Sequence, residues 1–213
     1  MKMSSGLRTL AGILTLTSIA LTGCKIDTHQ NGNNQDVKIA TPFGGLSVKT
    51  DDSAVQAGVG LNVYPGATLV KKLHVKDNGE TEHDSGGADI NMSFGSFHLG
   101  VKALSYQTAD APDKVIAFYR KDMARYGQVI FCRGKHAVGS PSETKDGLTC
   151  DDQDRKKVYV HGDDEGSDGE LRAGSRQHQH IVSIDSQGAG TKFGLVMLDL
   201  PGHLNLGDDD SKD

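Results

Sequence analysis

The sequence predicts an α+β fold, a mostly antiparallel sheet with one main amphipathic helix packed on one face. Three observations predict it. Several short segments alternate apolar with polar or small residues, most clearly Ala88, Ile90, Met92, Phe94 and then Phe97, Leu99, Val101, Ala103, the period-2 pattern of strands with one buried face. One segment, residues 110–127, carries the helical period. Connections are short and no unit of 20–50 residues repeats.

The chain opens with MKMSSGLR, carrying Lys2 and Arg8 and no acid, then the uncharged run Thr9 to Leu21. A basic start followed by a short apolar run is the pattern of an export signal. The run is shorter than the ~20 apolar residues that span a bilayer. Residues 1–23 are therefore expected to be a signal peptide. KIDTHQNGNNQ, within residues 24–35, is polar and predicts a flexible tether. Residues 36–60 are expected to be a hairpin and a linker: Val37, Ile39, Thr41 and Phe43 alternate, Gly44-Gly45 turns, and Leu46 and Val48 resume. Pro42 would confine that strand to an edge. DDSAVQAGVG (51–60) reads as the linker.

An α+β domain is expected over 61–200. Tyr64-Pro65-Gly66-Ala67 suits a type II turn, with Tyr64 packed on it. Residues 69–76 predict a strand and 78–87 a polar loop. The hairpin over 88–103 follows. For the helix, Asp110 is the expected N-cap, Pro112 sits in the first turn, and Gly127 ends it. Val115, Ile116, Tyr119, Met123 and Tyr126 fall within about 100° of arc, the face that would cover a sheet. QVIFCR (128–133), KKVYVHG (156–162), RQHQHIVSID (176–185) and KFGLVMLDL (192–200) predict strands, with an acidic loop at 162–170. Residues 201–213 read as an acidic, disordered tail.

Composition narrows the function. Without residues 1–23 the chain has 21 basic against 28 acidic residues, a net charge of −7. That balance argues against nucleic-acid partners, which need Lys and Arg on phosphates. There are 27 glycines in 213 residues and no tryptophan, so a sugar-stacking site is not favoured. No GxSxG, HExxH, P-loop or GxGxxG motif occurs, and a non-enzymatic protein is expected. Of three cysteines, Cys24 lies behind the apolar run; Cys132 and Cys150 remain. An even remainder in an exported chain predicts a disulfide.

Leu21-Thr22-Gly23-Cys24 resembles the lipobox of bacterial lipoproteins. The resemblance implies cleavage before Cys24, acylation of its thiol, and anchoring in membrane lipid. Lys25 rather than Asp after the cysteine implies the outer membrane. VKIATPFGGLSVKT, VYPGA and FGSFHLGVKALSYQTADAPDKVIAFYRKDMARYG resemble a group of exported bacterial proteins and lipoproteins without an assigned activity. That likeness, over residues 36–200, implies an exported α+β lipoprotein and carries over no catalytic residue.

Two binding modes are expected candidates. His178 and His180 stand two apart on a strand, so both imidazoles face one side, and His161 ends a neighbouring predicted strand. Imidazoles suit a transition metal. Metal binding is the alternative; the main expectation is an interaction or structural module of the cell envelope. Its hairpin, Val37–Val48, would then either pack on its own domain or add a strand to an envelope protein partner; high exposure of Phe43 and Leu46 would favour the partner.

Overall fold

A computed structural model describes residues 24–31, 34–71, 73–75, 81–83, 86–151 and 169–201. The expected signal peptide, His161, the strand 156–162, most of the acidic loop and all but the first residue of the tail lie outside the described residues. In chain order the elements are β1 (Lys25–Asn31), β2 (Asn34–Thr41), β3 (Gly44–Lys49), α1 (Asp52–Val59), β4 (Thr68–Leu69), β5 (Leu73–Val75) and β6 (Thr81–His83). There follow β7 (Gly87–Phe94), β8 (Phe97–Thr108), α2 (Pro112–Asp122) with a 3₁₀ turn (Met123–Tyr126), β9 (Ile130–Arg133), β10 (His136–Ala137), β11 (Gly169–Gly174), β12 (His178–Gln187) and β13 (Gly190–Asp199).

The α+β class holds. One antiparallel sheet runs in the order β1-β2-β3-β7-β8-β13-β12-β11-β9-β10, with β4 beside β8; β5 and β6 pair separately. Among the described residues there are two α-helices, not one. Both pack on the same face, α1 over β7, β8 and β13 and α2 over β11, β12 and β13. This is called the helix face, and its opposite the outer face.

Cross-strand register explains the core. Phe131, Leu171, Val182, Leu195 and Leu104 stand opposite one another in a single row across five strands. Ile184, Phe193 and Tyr106 form the next row. Val55 and Val59 of α1 and Val115, Tyr119 and Met123 from α2 and its 3₁₀ turn close over them, each fully buried. Tyr119 and Phe193 lie 5.6 Å apart between ring centres, and aromatic contacts of this kind add to simple area burial. The expected helical stripe is therefore the covering face.

Several expectations need correction. Residues 25–31 are not a free tether: they pair with β2 from Lys25–Ala40 to Asn31–Asn34. Gly44-Gly45 is not the hairpin turn. Pro42-Phe43 turns instead, and the Thr41 hydroxyl accepts from the Phe43 and Gly44 amides. Gly44 opens β3, where a Cβ would sit 2.0 Å from the Ser93 carbonyl oxygen of β7; close strand pairing, not turning, requires this glycine. Residues 51–60 are not a linker. Asp51 caps α1 by accepting from the Ala54 amide at 2.7 Å, and α1 fills the core. No boundary separates 36–60 from 61–200, because β3 pairs with β7.

Asp110 does not cap α2. Ala111 occupies that position without a side-chain bond. Asp110 instead accepts from the Tyr64 hydroxyl at 3.0 Å and pairs with Lys114 at 2.6 Å, and these contacts, Lys114 first, hold its carboxyl below the usual range. Tyr64 is buried, and the Ala67 amide returns to its carbonyl, with Gly66 at φ +77°. β11 begins at Gly169, on the last two residues of the loop expected over 162–170.

Cys132 and Cys150 are disulfide-bonded, with Cα atoms 5.5 Å apart. The bond pins residues 134–151 to the end of the sheet. Ile130, Leu148 and Ala137 pack around it as a second small core. Among the described residues no helix is long and apolar enough to cross a membrane.

Candidate functional site

The helix face is not covered everywhere. Beyond the C-terminus of α1 lies a pocket of about 280 Å³, lined among others by Gly60, Tyr126, His178, His180, Met197 and Asp199. Its position follows from register. His180 faces Met197, which faces Lys102; His178 faces Asp199, which faces Gly100. The polar side chains thus occupy the rows that run past the end of the core.

His180 stacks flat on Tyr126, ring centres 3.6 Å apart and planes 15° apart. Tyr126 is held there because its hydroxyl donates to the Gly60 carbonyl at 2.6 Å. Arg125 donates to the same carbonyl and lies over the Tyr126 ring. Burial first, and the nearby Arg125 guanidinium second, push the His180 pKa below its usual value against a hydrogen bond with the Val59 backbone. Both effects favour the uncharged form of His180. Its Nδ1 is buried and has no hydrogen-bond partner among the described residues.

His178 is different in kind. It is exposed, and its Nδ1 lies 3.0 Å from Asp199 Oδ1. The other oxygen of Asp199 faces His98 Nε2 at 3.5 Å. Gly100 makes this convergence possible: a Cβ there would meet Asp199 Cβ at 3.2 Å and Asn91 Oδ1 at 3.4 Å. Asn91 in turn donates to Asp89 Oδ1 at 2.5 Å, and Lys102 pairs with Asp89 at 3.4 Å, both charges largely buried.

The two expected ligands share a face, as their spacing predicts, but not a task. One imidazole is a stacked wall of the pocket; the other is held by a carboxylate at its mouth. Their expected third partner, His161, lies outside the described residues. Among the described residues no group of three or more His, Cys, Asp or Glu side chains is arranged to hold a metal ion. His98, Asp199 and Gly60 were not singled out from the sequence, and Tyr126 was expected only as part of the helical stripe that covers the sheet. No spacing links them: the adjacency of β12, β13 and β8 brings His98 and Asp199 to His178, and the ends of α1 and of the 3₁₀ turn bring Gly60 and Tyr126 to His180.

The remaining expected site residue, Cys24, is a free, exposed thiol just before β1. One residue on, Lys25 pairs with Ala40, which puts Cys24 beside the Pro42-Phe43 turn at one rim of the sheet. Phe43 is 83% exposed there, whereas Leu46 is half-buried. The hairpin does pack on its own sheet, yet leaves its aromatic tip in solvent.

No family model, no curated protein and no solved structure matches the chain.

Proposed function

We propose that this chain is an exported, lipid-anchored protein of the bacterial cell envelope, held in the outer membrane through acylated Cys24, and that its folded domain is a non-catalytic interaction or structural module. The observation that carries this reading is the division of the cysteines. Cys132 and Cys150 are joined, which suits an oxidising compartment, and Cys24 alone stays free and exposed behind the apolar leader. Two or three acyl chains on Cys24 would anchor stably, since each buried CH₂ contributes about 0.8 kcal/mol and one chain is marginal. A protein partner in the envelope would meet the domain at that surface.

The test is the intact mass of the chain recovered from bacterial membranes, with and without Cys24→Ser. The expected result is loss of residues 1–23, a mass increment equal to two or three fatty acyl groups plus glycerol, and release of the Cys24→Ser form from the membrane fraction. A Cys24 thiol that still reacts with an alkylating reagent in the membrane-derived protein would sink the reading.

A further inference from the structure

The half of the sheet formed by β1, β2, β3, β7 and the start of β8 is amphipathic from face to face. On the outer face, Ile26, Ile39, Leu46, Met92 and Leu99 stand opposite one another in one row across all five strands. The adjoining row continues with Val37, Val48, Ile90 and Val101. On the helix face the same strands carry Asp27, Lys38, Lys49, Asp89 and Lys102. Successive side chains of a strand point to opposite faces, so the separation is built into five strands at once. Among the described residues, β1, β2 and β3 make their main contacts only with neighbouring strands.

The apolar face has a marked end. The Pro42-Phe43 turn and the β7–β8 turn lie side by side, joined by a hydrogen bond from the Gly95 amide to the Phe43 carbonyl at 3.2 Å. Phe43 is 83% and Phe94 47% exposed, and Ile26 is 64% exposed. By the alternation of β1, Cys24 falls on the face of Ile26, at this same rim.

We infer that this outer face is a membrane-docking surface: the five-strand wing lies on the bilayer, with Phe43 and Phe94 in the headgroup–acyl boundary and the helix face turned away from it. The partner is a lipid surface because the residue proposed to carry acyl chains stands at the corner of the apolar face. The inference rests on that reading for the anchor, but not for the apolar face itself. Interfacial elements bury their apolar side about 5–10 Å into this boundary, a depth that exposed phenylalanines on a short turn can reach.

The chain contains no tryptophan, so a single introduced one reports without background. Phe94→Trp and Phe43→Trp, with Ser47→Trp on the helix face as control, would be prepared from bacterial membranes. Each would be placed with vesicles of phosphatidylethanolamine and phosphatidylglycerol bearing brominated acyl chains. The expected result is a blue shift and at least about twofold stronger quenching at positions 94 and 43 than at 47. Equal quenching at all three positions, or none, overturns the inference. A blue shift that grows with protein concentration in the absence of vesicles, with a dimer in sedimentation, also overturns it and assigns the face to a second copy. The intact mass of the same samples reports acylation separately. Quenching without acylation leaves the docking face standing and removes the anchor; acylation without quenching does the reverse.

Discussion

One sheet is built in two ways. From the second half of β8 through β13, β12 and β11 to β9, the inward rows of Leu104 to Phe131 and of Tyr106 to Ile184 are roofed by α1 and α2, and side chains such as Leu171, Val182, Ile184 and Leu195 are fully buried. From β1 to β3 and β7, no side chain is buried to that degree, although the alternation is as regular. A strand period therefore states that a segment has two faces. It does not state that anything covers either one. The hydrophobic contribution scales with apolar area removed from water, so stability should be concentrated under the helices while the wing is held chiefly by its ladder of backbone hydrogen bonds.

Truncation in the roofed half should have the largest effect. Phe193→Ala or Tyr119→Ala is expected to destabilise by about 3–5 kcal/mol, because a fully buried ring leaves a cavity that the surrounding sheet and helices cannot refill. Tyr119→Ala also strips the Asn62 carbonyl of its donor. Chemical denaturation would read this, and a change below about 1 kcal/mol would break the contrast. Next is the disulfide. Replacing Cys132 and Cys150 with Ala opens a loop whose ends are 18 residues apart, and a loss of about 3 kcal/mol is expected, read as a lower denaturation midpoint under non-reducing conditions.

In the wing, Leu46→Ala should cost only about 1 kcal/mol, since the side chain is half-buried before it is removed. Hydrogen exchange sharpens the same point: amides of β1 and β2 should exchange well before those of β12 and β13. Equal protection across the sheet would show that the wing is as strongly held as the core.

The smallest effect concerns His180. Its pKa in the folded chain is lowered by burial. Between that value and the ordinary value of 6.5 the unfolded chain binds more protons than the folded one. The His180 contribution to stability should therefore be fully present above pH 6.5 and be lost as pH falls below it toward the folded-state pKa. A His180→Phe substitution, which keeps a ring on Tyr126, should flatten that part of the stability profile. A profile that keeps its slope in the variant would assign the titration elsewhere.

Much of the fold was legible in the sequence. The β7–β8 hairpin, the α2 stripe, the β12 and β13 segments and the Cys132–Cys150 pair follow from period and from cysteine count. α1 was not legible, because DSAVQAGV has only two large apolar residues, Val55 and Val59, at helical spacing; the Asp51 cap was the available signal. β1 was hidden for a related reason. KIDTHQN is polar enough to read as a tether, and its strand form depends on β2 offering seven paired positions.

Local pattern carries the alternation of β7, β8, β12 and β13, the coil of α2 and the two cysteines left to pair. These follow from steric preference and the period of each element. Long-range pairing sets which face is roofed, brings His98 and His178 together on Asp199 over Gly100, and puts Cys24 at the rim of an apolar face. Each of these depends on strand register between segments far apart in the chain, and register is a sum over a whole ladder of bonds and packed neighbours that no single segment contains.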